Sequence, residues 1–311
     1  ALAFCAPGEG TDSSVPALWY KDLHVWDANG DTLEATARLE DDEIVLSVTD
    51  AQAVYPITVD PLSTTANWTA ESDQANARFG ACVSSAGDVN RDGYSDVIIG
   101  APFYDGGHTD EGRVYVFRGS ATGLLATPNW TAESNQASAN FGESVSTAGD
   151  VNGDGWSDVI IGAPNYDNGQ TNEGRAFIYE GGILGLPATA DWTAESNLAA
   201  ALFGSSVACA GDVNGDGLSD VIVGAPAYSS GADLGGRVYI YHGNGGAMSA
   251  TASWITASAQ ASADYGRSVA SAGDVNGDGF SDVIVGTPLW NGTQVDEGKI
   301  SVFHGSVAGL A

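Results

Sequence analysis

The chain has 311 residues, of which 43% are apolar, a proportion that supports a packed core and excludes a largely disordered polypeptide. With 40 acidic and 10 basic residues the net charge is −30, which argues against nucleic acid and anionic membrane surfaces as partners. No apolar run approaches the roughly 20 residues that a membrane-spanning helix needs, so the sequence predicts no transmembrane segment.

Residues 1–66 stand apart from the rest of the chain in their sequence pattern. Segments such as EIVLSVTD and VYPITVDP alternate apolar and polar residues, as half-buried strands do. Asn29 and Gly30 form a dipeptide that favours a hairpin turn. These features predict a small antiparallel β meander that forms a separate N-terminal domain or linker.

Residues 67–311 are four copies of one 62-residue repeat without insertion or deletion. The copies span residues 67–128, 129–190, 191–252 and 253–311. Three landmarks recur at this step, namely a Trp, an aromatic residue before Gly, and the first Asp of an acidic loop. They are Trp68, Trp130, Trp192 and Trp254; Phe79, Phe141, Phe203 and Tyr265; and Asp88, Asp150, Asp212 and Asp274. Such a fixed period indicates a repeat architecture.

Each copy contains the pattern of four short strands and no helical periodicity. FGESVSTAG alternates small and apolar residues, SDVIIGAP is a buried apolar run, and RAFIYEG alternates again. The fourth strand surrounds the NWTAES segment. Four strands in about 62 residues are typical of one blade, so we predict an all-β protein with a four-bladed β-propeller or part of a larger ring.

The order of the strands leaves the closure of the ring open. A fourth-strand segment precedes the first acidic loop at Trp68, and the sequence stops just before a fifth Trp is due. The segment at Trp68 would complete the last blade of a closed ring, or further blades would follow in a longer natural protein. In a third alternative the segment pairs with a neighbouring molecule and produces self-assembly.

Each copy also contains an acidic nine-residue loop, such as DVNGDGWSD from Asp150. Side-chain oxygens fall at positions 1, 3, 5 and 9, and Gly at position 6 permits a sharp turn. Calcium takes six to eight oxygen ligands, which alternate residues of a tight loop can supply. We therefore predict four Ca²⁺ ions, one per repeat, with the backbone carbonyl of position 7 as a further ligand. The predicted ligands are Asp88, Asn90, Asp92, Tyr94 and Asp96; Asp150, Asn152, Asp154, Trp156 and Asp158; Asp212, Asn214, Asp216, Leu218 and Asp220; and Asp274, Asn276, Asp278, Phe280 and Asp282.

Other kinds of metal site fit this pattern less well. An EF-hand requires a Glu at position 12 and flanking helices, whereas position 12 here is Ile or Val in an apolar strand. Magnesium prefers rigid octahedral sites and retains its waters. Transition metals prefer His or Cys, which the loops lack.

The acidic loops, with Phe-Gly before them and Gly-Ala-Pro after them, resemble the FG-GAP repeat of integrin α-subunit propellers and their bacterial secreted relatives. The resemblance covers residues 67–311. It implies that the loop joins the first two strands of each blade and binds calcium, and it gives that role to the same Asp and Asn residues. The chain departs from integrins in having four copies instead of seven blades. It also lacks a counterpart of the separate metal-dependent ligand-binding domain of some integrins.

The metal also predicts the location of the protein. Calcium sites of extracellular modules bind at about 10⁻⁴–10⁻³ M, and cytosolic calcium is far too low to fill them. We therefore expect an extracellular, secreted or cell-surface protein, or a periplasmic or outer-surface protein if the source is bacterial.

The sequence does not predict an enzyme, and no catalytic residue or organic cofactor is assigned. His242 and His304 occupy one repeat position, where the other copies have Arg118 and Glu180, and His108 lies alone in a loop. No Ser-His-Asp or Cys-His arrangement is indicated, although such triads leave no reliable local signature.

The loops between the second and third strands predict a binding face. In a propeller these loops lie opposite the metal loops, and aromatic residues beside acids are typical of recognition surfaces. The residues concerned are Tyr104, Asp105, Glu111, Tyr166, Asp167, Glu173, Tyr228, Trp290 and Glu297. We predict a protein-interaction or adhesion module that binds a protein or glycan ligand there, with calcium locking the blades. The alternatives are packing of these aromatic residues between blades, a structural subunit of a surface assembly or filament, and a non-catalytic propeller domain of a secreted enzyme.

Overall fold

The computed structural model describes residues 66–310 without a gap, and shorter stretches of the N-terminal region: 2–4, 18–20, 25–26, 28–29, 31, 33–40, 43–49, 52–54 and 58–59. The chain divides into two compact units, Ala1–Thr69 and Ala70–Ala311. The described residues form β-strands, turns and loops, and none of them lies in a helix. None of the described residues forms a helix long and apolar enough to cross a membrane.

The described part of the N-terminal unit consists of three antiparallel strand pairs. They are β1 (Leu2–Phe4) with β2 (Leu18–Tyr20), β3 (Val25–Trp26) with β6 (Thr58–Val59), and β4 (Ala35–Glu40) with β5 (Glu43–Val48). These antiparallel pairs are of the kind that a small β meander contains, while the assignment of residues 1–66 as a separate domain stays a prediction. β1 is a strand that the sequence pattern did not indicate. Asn29 lies in a turn, whereas Gly30 of the predicted hairpin dipeptide falls outside the described residues.

The second unit contains four antiparallel sheets, which we call blades 1 to 4, and each of the first three takes its fourth strand from the following copy of the repeat. Blade 1 contains β7 (Cys82–Gly87), β8 (Asp96–Ala101), β9 (Arg113–Phe117) and β10 (Trp130–Glu133). Blade 2 contains β11 (Ser144–Gly149), β12 (Asp158–Ala163), β13 (Arg175–Tyr179) and β14 (Trp192–Glu195). Blade 3 contains β15 (Ser206–Gly211), β16 (Asp220–Ala225), β17 (Arg237–Tyr241) and β18 (Trp254–Ala257). Blade 4 contains β19 (Ser268–Gly273), β20 (Asp282–Thr287) and β21 (Lys299–Phe303).

The blades stack face to face in chain order. The first strand of each blade lies beside the first strand of the next, from β7 through β11 and β15 to β19. One apolar cluster between blades 2 and 3 joins Ile160 and Ile178 to Val221, Val223 and Tyr241. Because both faces of the inner blades are covered, the second strands β12 and β16 are buried along their whole length. This explains why the DVIIGA and DVIVGA segments are continuously apolar.

The two glycines of the repeat motif lie at the junction between blades. Within blade 2, the Gly142 N–H donates to the Gly162 carbonyl at 3.0 Å. A Cβ atom on Gly162 would lie only 1.9 Å from the carbonyl oxygen of Gly204 in blade 3. Glycine is therefore required here because the backbones of successive blades approach too closely for any side chain.

The fourth blade has three strands, and no fourth strand for it is found among the described residues. Residues 67–72 around Trp68, which one alternative assigns to this position, form no strand. Ile300 and Val302 are 70% and 40% exposed, whereas their counterparts Val238 and Ile240 in blade 3 are fully buried. The described strands therefore form propeller-like blades without a closed ring.

Candidate metal centre

Each acidic loop joins the first and second strands of its blade. In blade 1 the loop starts at Asp88, directly after β7, and ends at Asp96, the first residue of β8. A β-bulge between Ser85 and Gly87 interrupts the strand pairing just before the loop. Bulges bend a strand and redirect its chain, so this one turns the backbone out of the sheet and into the loop.

The first side chain of each loop organises the backbone around itself. In blade 1 the Asp88 Oδ1 accepts a hydrogen bond from the Asp92 N–H at 3.0 Å, and its Oδ2 accepts one from Gly93 at 2.8 Å. The Asp92 Oδ1 in turn accepts from the Tyr94 N–H at 3.0 Å. Gly93 has a φ of +92°, as predicted for the sharp turn. The carboxylates at positions 1 and 5 are therefore drawn toward the inside of one tight loop.

The other three loops repeat this geometry closely. In each of them position 1 accepts three backbone N–H groups at 2.6–3.1 Å, the last of them from the glycine at position 6. In the fourth loop, Asp274 is exposed and accepts such backbone hydrogen bonds. They lower its pKa below the ordinary range, and the bond from Gly279 has the largest effect. Four loops with one geometry show that the sequence pattern determines the local fold.

The aspartate at position 9 is almost completely buried in all four loops. In blade 2 the Asp158 Oδ2 accepts from the Val151 N–H and its Oδ1 from the Gly181 N–H, both at 2.8 Å. Burial raises the pKa of Asp158 to about 7, although its backbone hydrogen bonds act in the opposite direction. Burial raises the pKa of Asp220 to about 7 in the same way. Position 9 therefore ties the loop to the end of the third strand, a structural role that the sequence did not reveal.

The amide at position 3 of the first loop gives a test of whether that loop fits a cation. In blade 1 the Asn90 Nδ2 donates to the Asp92 Oδ2 at 2.8 Å, while the buried Asn90 Oδ1 has no hydrogen-bond partner among the described residues. If the amide turned over, Oδ1 would face the carboxylate, an arrangement that a cation between the two oxygens would stabilise. An all-oxygen donor set with one unsatisfied oxygen fits a hard divalent ion such as calcium.

The predicted ligands are nevertheless not gathered into a formed site. In the part of the chain that the structure describes, no group of three or more His, Cys, Asp or Glu side chains is arranged to hold a metal. The carboxylates of positions 1 and 5 instead accept hydrogen bonds from their own loop. The assignment of the metal ligands therefore stays a prediction.

Further residues lie beside the loops and were missed by the sequence reasoning. The Glu180 Oε2 accepts a hydrogen bond from the Asn152 Nδ2 at 3.0 Å, and the His304 Nδ1 lies 2.6 Å from the Asn276 Nδ2. Both residues occupy the repeat position at the end of the third strand. The step of 62 residues could have identified the position but not its approach to the loop, which depends on the pairing within the sheet.

Each of the first three loops is also hydrogen-bonded to the next blade. The Asp88 N–H donates to the Ser157 Oγ at 3.1 Å, and the Ser157 N–H donates back to the Asp88 carbonyl at 3.1 Å. Equivalent backbone bonds join Ser219 to Asp150 and Ser281 to Asp212 at 2.8–2.9 Å. The serine at position 8 of one loop therefore holds position 1 of the preceding loop. Any ion that orders a loop acts directly at the junction between two blades.

The residues of the predicted binding face are divided between structural and exposed roles. The guanidinium of Arg113 lies over the Tyr104 ring, 3.8 Å from its centroid, and Arg175 and Arg237 lie over Tyr166 and Tyr228 in the same way. Glu111 and Glu173 are fully buried and accept backbone N–H groups of their own loops at 2.6 Å. Burial removes both glutamates from contact with a ligand, whereas Asp105, Asp167 and Glu297 are exposed.

Stacked antiparallel blades, each with an acidic loop between its first two strands, define a repeat protein of the β-propeller type. The family model of the FG-GAP repeat matches residues 83–117, 141–179, 203–241 and 265–303, one match in each blade. The chain belongs to the FG-GAP repeat family, integrin-α-like in its relatives, and the resemblance seen in its motifs is confirmed.

Known relatives include integrin subunits and one enzyme. The chain is similar to integrin alpha-4 of Xenopus laevis, with 34% identity over 198 residues that cover 62% of this chain and 18% of the relative. It is similar to integrin alpha-5 of Xenopus laevis, with 31% identity over 248 residues, or 77% of this chain and 22% of the relative. The similarity to phosphatidylinositol-glycan-specific phospholipase D of Mus musculus is 33% over 168 residues, or 51% of this chain and 20% of the relative. The chain therefore spans about a fifth of the length of these relatives.

Proposed function

We propose that this chain is an extracellular calcium-binding propeller module for adhesion or protein interaction, in which calcium locks the blades together. The observation that carries the proposal is the hydrogen bonding of each of the first three acidic loops to the next blade, as in the reciprocal bonds between Asp88 and Ser157. The integrin relatives support an adhesion role.

Calcium would act on stability through these junctions. The side chains at positions 1, 3, 5 and 9 and the carbonyl at position 7 would hold one ion in each of the four loops. With a dissociation constant of about 10⁻⁴ M and about millimolar calcium, each ion adds about 1.4 kcal/mol, and four ions add about 5–6 kcal/mol. The net stability of a whole domain is only about 5–15 kcal/mol. Sites of this affinity fill outside the cytosol, which supports a secreted or cell-surface location.

The face opposite the metal loops is the proposed ligand surface. The exposed acids Asp105 and Asp167 lie in loops after the second strands, at the other end of the blades from the metal loops. A protein or glycan ligand would contact these loops, while the buried Glu111 and Glu173 maintain loop shape. No reaction is assigned to the chain, and the phospholipase D relative makes a non-catalytic domain of a secreted enzyme the second candidate.

The proposal is tested by melting the protein with and without calcium. Millimolar calcium is expected to raise the Tm of metal-free protein by about 10–20 °C, because the four ions together contribute about 5–6 kcal/mol. The variant Asp154→Asn removes the charge of one predicted ligand and should lose about a quarter of that rise. The control Asp105→Asn makes the same chemical change in blade 1, at the end of the blade that lies away from the metal loops. It should retain the full rise in Tm. A Tm that calcium leaves unchanged would contradict the proposal.

A structural subunit of a surface assembly is a further candidate, and the exposed Ile300 and Val302 on β21 favour it. Self-assembly through this strand would bury both side chains. Sedimentation velocity with calcium and with chelator separates the alternatives, because polymers indicate a building block and a monomer indicates a ligand-binding module. The variant Ile300→Lys should abolish any polymers, since it places a charge on the apolar surface.

A further inference from the structure

A cavity of about 260 Å³ lies between blades 3 and 4, on the face opposite the metal loops. Residues 256–260, which comprise the end of β18 and the loop after it, line one side, and Tyr265, Thr287 and Ser301 line the other. Trp290, Lys299 and Phe303 complete the lining. The volume is slightly below the roughly 300–1,000 Å³ of typical ligand pockets, so a small ring would fill it.

The cavity exists because blade 4 departs from the repeat at the site of one aromatic side chain. In blades 1 to 3, the aromatic residue before Gly packs edge-on against a ring on the third strand, at 5.1–5.2 Å between centroids. These third-strand residues are Tyr115, Phe177 and Tyr239. The equivalent residue in blade 4 is Ser301, which leaves the space of a six-membered ring beside Tyr265.

Two further departures add hydroxyl groups to the same cavity. Tyr265 replaces the Phe of the other three copies, and Thr287 replaces their Ala. Both side chains are buried, at 6% and 2% exposure, and neither hydroxyl has a hydrogen-bond partner among the described residues. Burial raises the pKa of Tyr265, and the neighbouring Thr256 side chain opposes this rise. A buried hydroxyl without a partner destabilises the folded protein, so a polar ligand that paired with both groups would recover this free energy.

The mouth of the cavity adds an aromatic ring and a cation. The Lys299 Nζ lies 4.7 Å from the centroid of the Trp290 ring. Lys299 makes no ion pair with any residue in the described part of the chain, whereas Arg113 and Arg175 pair with Glu133 and Glu195 in blades 1 and 2. A ligand in the cavity would therefore meet apolar surface, hydroxyl groups and a positive charge.

We propose that this cavity binds one acidic sugar residue, a pyranose ring that carries a carboxylate. The ring occupies the space that Tyr or Phe fills in the other blades. The hydroxyls of Tyr265, Thr287 and Ser301 pair with those of the sugar, Trp290 contacts its apolar edge, and Lys299 attracts its carboxylate. The inference rests on the proposed function, because it specifies a glycan as the ligand of the face opposite the metal loops.

Calorimetric titration of the calcium-loaded protein with methyl glucuronide tests the proposal. We expect saturable binding with a dissociation constant of about 1 mM or below, at least fivefold weaker binding of the neutral methyl glucoside, and weaker binding still of benzoate. The glucoside lacks the carboxylate for Lys299, and benzoate lacks the hydroxyls that pair with Tyr265 and Thr287.

Variants that restore the repeat residues locate the binding. Ser301→Tyr returns the missing ring and should abolish binding while preserving the fold, since blade 3 has Tyr239 at this position. Tyr265→Phe and Thr287→Ala each remove one hydroxyl and should weaken binding several-fold. Tyr239→Phe is the matched control, because it removes a buried hydroxyl at the junction of blades 2 and 3, and binding should be unchanged.

Absence of binding by every sugar would overturn the inference and leave water as the occupant of the cavity. Sugar binding that survives both Ser301→Tyr and Tyr265→Phe would also overturn it, because the sugar would then bind elsewhere on the protein. Preference for benzoate over the glucuronide would replace a sugar by an aromatic acid and likewise contradict the proposal. In each case the effect of calcium on Tm still tests the proposed function independently.

Discussion

The aspartates at positions 5 and 9 of the loops differ in their surroundings, although the sequence pattern treats both as metal ligands. Asp154 at position 5 is exposed, and its Oδ1 accepts one hydrogen bond from the adjacent backbone. Asp158 at position 9 is fully buried and satisfies two backbone N–H groups, one of them from the end of the third strand. Position 9 therefore supports the sheet even without a metal.

This difference predicts that two alanine variants will differ in stability when the protein is metal-free. Asp158→Ala should lower the free energy of unfolding by about 2–4 kcal/mol, because it leaves two buried N–H groups unpaired. Asp154→Ala should change it by less than about 0.5 kcal/mol, as is usual for an exposed residue. Urea denaturation in chelator measures both. Equal effects of the two substitutions would show that position 9 has no separate structural role.

The raised pKa values of Asp158 and Asp220, both about 7, predict how pH affects stability. In the unfolded chain an aspartate titrates near pH 4, so the metal-free native state binds these protons more tightly. Their contribution to stability is complete below about pH 4 and is lost as the pH rises to about 7. Calcium requires the ionised carboxylates, so its stabilising effect should grow over the same interval.

The measurement is the difference in Tm between calcium-loaded and metal-free protein at several pH values. We expect this difference to increase from pH 5 to pH 7 and then to level off. A difference that stays constant across this interval would mean that neither buried aspartate takes part in binding the ion.

At the scale of the strand, the Gly-Ala-Pro segment shows how one residue determines blade packing. Gly162 lies near the end of the buried strand β12 and faces the Gly204 carbonyl of blade 3, with no room for a Cβ atom. Gly286 occupies the same position in blade 4, where the nearest atom to a Cβ would be 3.5 Å away. The same motif residue is therefore under different constraint in the two blades.

The variants Gly162→Ala and Gly286→Ala provide a matched pair. Gly162→Ala should destabilise the protein by about 3 kcal/mol or more, because the backbones of blades 2 and 3 must separate. Gly286→Ala should cost less than about 1 kcal/mol, since its Cβ meets only ordinary contacts. Thermal or urea unfolding of the 311-residue chain compares them. Similar losses from both substitutions would contradict the account of blade packing.

At the scale of the whole molecule, the net charge of −30 opposes the compact state. The acidic loops concentrate part of this charge at one end of the blades, where each calcium ion would add two positive charges. Salt screens the same repulsion, with a Debye length of about 10 Å at 0.1 M and about 3 Å at 1 M.

Sodium chloride is therefore expected to raise the Tm of metal-free protein between 0.05 and about 0.5 M, and to have a smaller effect on calcium-loaded protein. Differential scanning fluorimetry with and without chelator measures both series. If salt stabilised the two forms equally, repulsion between the loops would not be what calcium relieves.

The period of 62 residues by itself determined that the second unit consists of four all-β blades with the same order of strands, because copies of one sequence pattern favour the same local fold. It also fixed the acidic loops, since the carboxylate at position 1 organises its own backbone through contacts of three to five residues in sequence. Glycine at position 6 completes that turn, and such local interactions do not depend on the rest of the fold.

Tertiary structure alone decided what the same residue does in different blades. The sequence placed Glu111 and Glu173 on a binding face, but folding buries both beneath their own loops. It assigned the segment at Trp68 to a strand in one alternative, whereas that segment forms no strand in the structure. It also did not reveal that Ser301 opens a cavity beside Tyr265, because the missing ring matters only where two blades pack together. Contacts between blades join residues about 60 positions apart. A local sequence pattern therefore does not show whether a side chain fills the space between two blades.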